Sequence, residues 1–376
     1  MKALIAGGGI AGLATGIALR EAGADVQVLE RSPRLREIGA GLMIWPNGAR
    51  SLEALGVKVN ALSVRRLTIR NWHGRVLSDY PLDAIAGRYG YDASFIHRAD
   101  LQAALASRLG GDRLRLGSEV ERFAQDERGV TVTLRDGTRA EGDLLIGADG
   151  LRSAVRRHLL DDGEPTYLGS TVWRGVVGGD GLPIPSQMGI NWIGRGAEFL
   201  AFRLPDDQIY WAGVTKAPRG ERAGPGGHKP DLLAAFGDWE RPVPELIEAT
   251  EEAASLRNDM YDRRPASRWS SGRVALAGDA AHPMTPNASQ GACQALEDAV
   301  AIGASLRERV DVAAAFAAYE RTRLRRANGV VAMARQSTRA VQLDNPVLCA
   351  LRDLVAYRVA ERLFLSQLDR ILGPRP

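Results

Sequence analysis

The sequence predicts an α/β protein: a Rossmann-like nucleotide-binding domain in discontinuous pieces, an inserted mostly β domain and a C-terminal helical segment. Three observations predict it. A strand, a glycine turn, a helix and a second strand open the chain. Two more short apolar strands, far apart, each end on a pair of Gly and Asp. Between these two lies a long strand-like stretch with spaced aromatic residues.

The opening unit runs from Ala3 to Arg31. Ala3-Leu4-Ile5-Ala6 reads as a buried strand. It leads into Gly7-Gly8-Gly9-Ile10-Ala11-Gly12, a G-x-G-x-x-G, then a helix ending near Gly23 and a strand Val26–Leu29 stopping at Glu30. Gly7 permits the tight turn, Gly9 lets a pyrophosphate approach the backbone, and Gly12 lets helix and strand pack closely. The helix N-terminus offers free N–H groups to phosphate. Glu30 follows Gly12 by 18 residues, where an acid accepts hydrogen bonds from a ribose diol. With 42 glycines a lone match arises by chance; strand, helix, strand and acid in order make it a dinucleotide fingerprint.

Next comes a small-residue segment, Ile38 to Gly48, read as backbone close to a ligand, and a helix from Pro46 or Asn47 to Gly56. Leu67–Arg70, a His73-Gly74 turn and Val76-Leu77 form a hairpin. A helix covers Asp100–Leu109. Strands follow near Leu114, at Val130–Leu134 and at Leu144–Ile146, the last ending in Gly147-Ala148-Asp149-Gly150. From Tyr167 to Asn258 the pattern is strand-like, broken by a Gly/Pro-rich loop at Pro218–Pro230 and two short helices, Asp231–Phe236 and Val243–Ala249. Val274–Ala277 ends in Gly278-Asp279-Ala280-Ala281-His282-Pro283, and a loop leads to a helix at Gln290-Gly291-Ala292. The rest is helical, Ala313–Met333 and Leu348–Leu372. The nucleotide domain therefore takes residues 1–64, 92–164 and 259–340, the β region 65–91 and 165–258, and a C-terminal helix 341–376.

Composition bounds the function. Hydrophobic and charged contents of 45% and 25% are those of a globular protein. Net charge is +4, and only Lys2, Lys58, Lys216 and Lys229 are lysines among 49 basic residues. The arginines are scattered among acids, which argues against a nucleic-acid partner. Cys293 and Cys349 are too few for a disulfide framework or cysteine-rich metal site, so a reducing cytoplasm is expected. The five histidines show no metal-ligand spacing. No signal peptide is visible, and no run of 18 apolar residues predicts a membrane span.

The late Gly278-Asp279 motif discriminates between dinucleotides. A cofactor bound through a nicotinamide needs no second acid there. FAD is longer: Asp279 can hold ribityl hydroxyls, and the helix start at Gly291 can aim N–H groups at the flavin edge where negative charge gathers on reduction.

Gly7–Gly12 with Glu30, Arg98-Ala99-Asp100-Leu101, Gly147–Gly150, Gly278–Pro283, Gln290-Gly291 and Glu297-Asp298-Ala299 together resemble the group A, para-hydroxybenzoate hydroxylase-type flavoprotein monooxygenases. Trp45-Pro46-Asn47-Gly48 and Trp173-Arg174-Gly175 are most similar to the branch with urate hydroxylase, 3-hydroxybenzoate 6-hydroxylase and zeaxanthin epoxidase. The resemblance implies FAD held by Gly7, Gly9, Ala11, Gly12, Glu30, Arg31, Met43, Arg98, Val120, Asp149, Asp279, Pro286, Gly291 and Ala292. It implies NADH or NADPH as a transient co-substrate, and one oxygen atom of O2 delivered through a flavin C4a-hydroperoxide to an aromatic or heteroaromatic small molecule. Epoxidation of a polyene, or reduction of isoprenoid double bonds, is the alternative chemistry on this scaffold. The inserted β region would bind substrate.

Glu198, Tyr210 and Arg174 are the catalytic candidates. Glu198, Leu200 and Phe202 share one strand face, so a desolvated Glu198 could act as base on a phenol; a solvated Glu on an edge strand is the bland reading. Arg174 would anchor an anionic substrate or pair with an acid. Trp45, Trp173 and Trp192 would line an aromatic pocket or pack in a core. His282 and Cys293 are read as structural. The C-terminal helix would mediate a homodimer or cover a monomer's sheet.

Overall fold

A computed structural model describes residues 1–35, 40–224, 226–309, 311–355 and 370–372. The expectations for Ile38, Gly39 and most of the C-terminal helix lie outside the described residues.

The opening unit folds as Lys2–Ala6, helix Ile10–Glu21 and Asp25–Leu29. Lys2–Ala6 pairs in parallel with Asp25–Leu29 on one side and Leu144–Gly147 on the other, and Val274–Leu276 lies in parallel beyond Leu144–Gly147. Ala6, Gly147 and Leu276 stand in one register across the sheet. Their strands therefore release Gly7–Gly12, Asp149-Gly150 and Gly278-Asp279 at one edge, the carboxyl edge where such sheets bind ligands. Three segments far apart in sequence become one site by this pairing alone. Ala3–Ala6, Leu144–Ile146 and Val274–Leu276 are continuous apolar runs because helices cover the sheet.

Helix Ile10–Glu21 packs along helix Gly291–Glu308. Gly303 makes this possible: a Cβ there would stand 2.9 Å from the Cβ of Ala18.

A second sheet has seven strands, in the order Leu256–Asp262, Thr166–Gly178, Gln208–Lys216, Glu198–Arg203, Met188–Ile193, Arg66–Asn71, Val76–Pro81. The early hairpin joins the later strands through parallel pairing of Arg66–Asn71 with Met188–Ile193. The two-residue period assigns the faces. Val172, Phe202, Tyr210, Ala212 and Val214 belong to the core shared with the nucleotide domain. Trp173, Trp192, Phe199, Ala201, Ile209 and Trp211 point the other way, into a separate core closed by Leu232, Phe236, Val243, Leu246 and Ile247 of helices Lys229–Phe236 and Val243–Ala249. The aromatic-pocket expectation for Trp173 and Trp192 is corrected by this parity. Both are core residues, on the face away from the site. Trp45 is also buried in a core, before helix Pro46–Ala54.

Elements that were not anticipated include helix Asp83–Tyr89 and the strands Gly41–Ile44 and Arg139–Gly142. Strand Arg139–Gly142, of sequence RAEG, carries no apolar period and forms by pairing with Val130–Leu134.

Candidate functional site

The sheet edge begins with the glycine turn. Gly7 has φ +102°, and a Cβ on it would stand 2.4 Å from Ala148 O. A Cβ on Gly12 would stand 1.8 Å from Gly7 O, so only glycine closes this turn. Gly9 has open space where its Cβ would be. Glu30 braces the loop: Gly8 N–H donates to Oε2 at 2.6 Å and Ser32 N–H to Oε1 at 2.8 Å. Gln102 Nε2 donates to Gly8 O at 2.9 Å. Arg31 is exposed beside this acid, and Val120 is buried in its strand just past Ser118, whose N–H donates to Glu30 O at 2.7 Å.

The late motif lies directly against this turn, since a Cβ on Gly278 would stand 2.6 Å from the Cβ of Ala11. Asp279 is solvent-accessible yet deep among protein atoms, as expected of a side chain on a cleft floor. Burial raises its carboxyl, and the nearby His282 and Arg98 oppose the rise. Arg98 opens helix Arg98–Leu109. Burial lowers its guanidinium; Asp279 counters this and Arg174 reinforces it. Charges from two segments of the nucleotide domain and from the second sheet therefore meet in one cleft.

Beneath Asp279 is a buried polar network. His282 Nε2 lies 2.5 Å from Asp298 Oδ2, which also accepts Gly278 N–H at 2.9 Å. Arg323 Nε donates to Asp298 Oδ1 at 2.9 Å, and Arg323 also pairs with Glu297. Burial alone would raise the Asp298 carboxyl, but His282 and Arg323 hold it below the ordinary range. His282 thus serves to fix the turn.

Asp149 is used within the chain. Its carboxylate accepts from Ser153 Oγ at 2.5 Å and Ala154 N–H at 2.7 Å, capping helix Ala154–Leu160. Arg156 in that helix is fully buried and donates to Ala280 O and Ala281 O at 3.0 and 3.1 Å, tying the second motif to the third.

Two helix starts face the cleft from the other side. Asn47 Nδ2 donates to Gln290 Oε1 at 3.0 Å, joining the start of Pro46–Ala54 to that of Gly291–Glu308. Gly291 has open space at its Cβ position, Ala292 is half-buried and Pro286 is exposed. Met43 is buried in strand Gly41–Ile44. Cys293 is packed between Met43 and Trp45, and burial pushes its thiol up to about 12, so it is inert packing.

The second sheet meets these loops at Gly41, where a Cβ would stand 2.7 Å from both Phe202 and Tyr210. Burial raises the Tyr210 phenol, against the adjacent Arg174 guanidinium, which also donates to Asn258 Oδ1 at 3.1 Å. Glu198 is on an interior strand and buried, which overturns its reading as a solvated edge residue. Burial raises its carboxyl, and both oxygens already accept amide protons, from Asn191 Nδ2 at 2.8 Å and Asn287 Nδ2 at 2.7 Å. Thr338 Oγ1 lies 2.6 Å from Asn287 Oδ1 and 2.7 Å from Thr285 Oγ1. Glu198 therefore joins the sheet, the loop over the cleft and the long helix Val312–Val341.

Sequence reading missed Arg156, Arg323, Asn191 and Asn287. Arg323 had a visible signal: it falls among Phe316, Tyr319, Ala327, Val330 and Ala334 on the apolar face of its helix. A charge on such a face requires buried partners. The two asparagines sit in ordinary polar contexts and give no such signal.

An open glycine turn with a braced acid, an accessible Asp279 on the cleft floor and a free helix start at Gly291 fit an extended dinucleotide, and define a flavin-binding oxidoreductase. The chain belongs to the FAD binding domain family, matched over residues 1–173 and 245–334. It is 39% identical to the aurachin C monooxygenase/isomerase of Stigmatella aurantiaca, over 94% of this chain and 93% of that one. It is 34% identical to the FAD-dependent urate hydroxylase of Klebsiella pneumoniae over the whole of both chains. The structure of Klebsiella pneumoniae HpxO complexed with FAD and uric acid superposes with a TM-score of 0.93, at 32% identity, covering 100% of this chain and 97% of that one. The protein is an FAD-dependent monooxygenase with NADH or NADPH as electron donor, of the group A type that its motifs resemble. Among the described residues no helix is long and apolar enough to cross a membrane, and no cluster of potential metal ligands occurs.

Proposed function

We propose that the enzyme hydroxylates an aromatic or heteroaromatic small molecule, using O2, between the site face of the seven-stranded sheet and the loops of the nucleotide domain. The observation that carries this reading is the meeting of Phe202 and Tyr210 with Gly41, which sets an apolar, aromatic sheet face against the cofactor cleft. FAD, when bound, would take the two electrons of NADH or NADPH and pass them to O2. Gly7, Gly9, Ala11, Gly12, Glu30, Arg31 and Val120 hold its adenosine and pyrophosphate end. Arg98, Asp149 and Asp279 serve its middle, and Met43, Pro286, Gly291 and Ala292 its ring.

The chain's own residues orient the substrate and keep water out. Tyr210 presents a neutral phenol O–H at neutral pH, since burial raises it. Arg174 beside it offers a cation to an electron-rich or anionic ring substituent. Glu198 has both oxygens engaged by amides, so its part is to brace the Asn287 loop over the cleft rather than to take the first proton. Residues 65–91 and 165–258 form the substrate-binding unit in this reading and 1–64, 92–164 and 259–340 the cofactor unit. The setting is cytoplasmic.

The test is a screen of aromatic compounds for stimulated NAD(P)H oxidation by the flavin-loaded protein, with isotopically labelled O2. Incorporation of one labelled atom into an aromatic product is expected. Turnover of a double-bond substrate without oxygen would overturn the reading. Tyr210→Phe should raise the KM for such a substrate about tenfold, the effect of about one lost hydrogen bond, while flavin content stays unchanged.

A further inference from the structure

Eight large apolar side chains are exposed among the described residues, and five of them fall in residues 346–355: Val347, Leu348, Leu351, Leu354 and Val355, between 47% and 73% exposed. These residues are helical, and the spacing i, i+1, i+4, i+7, i+8 places all five on one stripe. The opposite side carries Cys349, Arg352 and Asp353, and these are buried: Cys349 and Asp353 are 3% and 7% exposed, and the Arg352 side chain 9%. The polarity is the reverse of an ordinary surface helix, which turns its charges to water.

The helix is firmly docked in this orientation. Asn345 Oδ1 accepts the N–H groups of Val347 and Leu348 at 3.0 and 3.2 Å, and Pro346 follows the cap. Arg352 Nη1 donates to Gly194 O at 3.1 Å, in the turn between two site-sheet strands, and Gly196 N–H donates to Leu343 O at 2.7 Å. The helix therefore packs on the turn that immediately precedes Glu198.

Basic groups lie on the segments that hold this helix. Arg195 is exposed in the turn that holds the helix, 5.5 Å above the Trp72 ring. Lys216 is exposed and pairs at 2.5 Å with Asp344, next to the cap. Arg339 is exposed in the last turn of the preceding helix. The chain as a whole carries +4. Among the described residues, the five half-exposed side chains present on the order of 300–400 Å² of apolar surface, below the ~800 Å² each subunit contributes to a stable dimer. A lipid surface requires no such area, because apolar insertion and headgroup attraction act together.

We propose that 346–355 is a membrane-contact helix that lies in the interface of an anionic bilayer. Val347, Leu348, Leu351, Leu354 and Val355 enter the acyl boundary. Arg195 and Arg339 meet the headgroups.

Cosedimentation of the FAD-loaded protein tests this, with vesicles of phosphatidylcholine containing phosphatidylglycerol and with pure phosphatidylcholine vesicles. The protein is expected to bind the anionic vesicles, less at high salt. Leu351→Asp with Leu354→Asp should reduce the bound fraction about tenfold, with flavin content, melting temperature and vesicle-free NAD(P)H oxidation unchanged. Should that variant unfold, Arg195→Glu with Arg339→Glu makes the same test through the charges, and the anionic preference should vanish. Wild-type protein left in the supernatant with both vesicle types, or folded variants that sediment like wild type, would overturn the proposal. So would a dimer in light scattering that the leucine variants convert to monomer in the absence of any vesicle binding, which would assign the stripe to a second copy of the chain.

Discussion

Asp298 shows how a single side chain positions chemistry it does not touch. One oxygen takes the Gly278 N–H and the His282 ring, the other takes Arg323. The turn that presents Asp279 is thereby fixed from below. Asp298→Asn keeps the shape but removes the charge facing Arg323 and His282, and should cost about 3–5 kcal/mol, the range for breaking a buried pair. The folded carboxyl lies below its ordinary value, so its contribution is present above the ordinary carboxylate range and disappears as pH falls through the lowered value. The deficit of Asp298→Asn should therefore be full at neutral pH and shrink in acid. Urea unfolding at both pH values checks this; a deficit independent of pH would show that packing, not charge, carries the effect.

Elements position the site through close approach. Helix Ile10–Glu21 brings its N-terminus to the cleft only because helix Gly291–Glu308 lies tightly along it, with Gly303 against Ala18. Gly303→Val would force the helices apart, and overpacking of this kind costs about 1–3 kcal/mol. Both helix starts face the cleft, so the same change should weaken flavin binding as well as lower the melting temperature. Fluorescence titration of apoprotein with FAD separates the two. Unchanged flavin affinity in a destabilised variant would refute the coupling of this packing to the cofactor site.

At the scale of the whole molecule, the pieces of the nucleotide domain are locked to the second sheet by buried arginines. Arg156 holds Asp162 as well as the Ala280 and Ala281 carbonyls, and Arg263, just past strand Leu256–Asp262, reaches Asp162 Oδ1 at 2.9 Å and Leu151 O at 2.8 Å. Arg335 on the long helix pairs with Asp262. Arg156→Met takes the donor from Asp162 Oδ2 and from the Ala280, Ala281 and Arg264 carbonyls, while Arg263 keeps Asp162 Oδ1, and should destabilise by about 1–3 kcal/mol. The purified variant should carry less flavin, measured as the ratio of flavin to protein absorbance. A variant with full flavin content would confine Arg156 to global stability.

The cofactor end of the site was legible because its constraints are local. A glycine turn, the acid 18 residues beyond it and an apolar strand ending in Gly-Asp state their geometry in a few residues each. Strand and helix periodicity likewise gave the parallel sheet and most elements. The substrate side was less legible because its meaning depends on which way a strand faces. Trp173 and Arg174 are neighbours, and only the sheet's parity sends one to a core and the other to the cleft. Glu198 was visible as a candidate, but its partners Asn191 and Asn287 come from another strand and a distant loop, and no sequence period records them. By itself the sequence determined the cofactor class and the strands that carry it, since those follow from backbone sterics and hydrophobic period. Only the tertiary structure decided which side chains share the cleft and which helix turns its apolar face outward, because those are set by contacts between segments that no local sequence period relates.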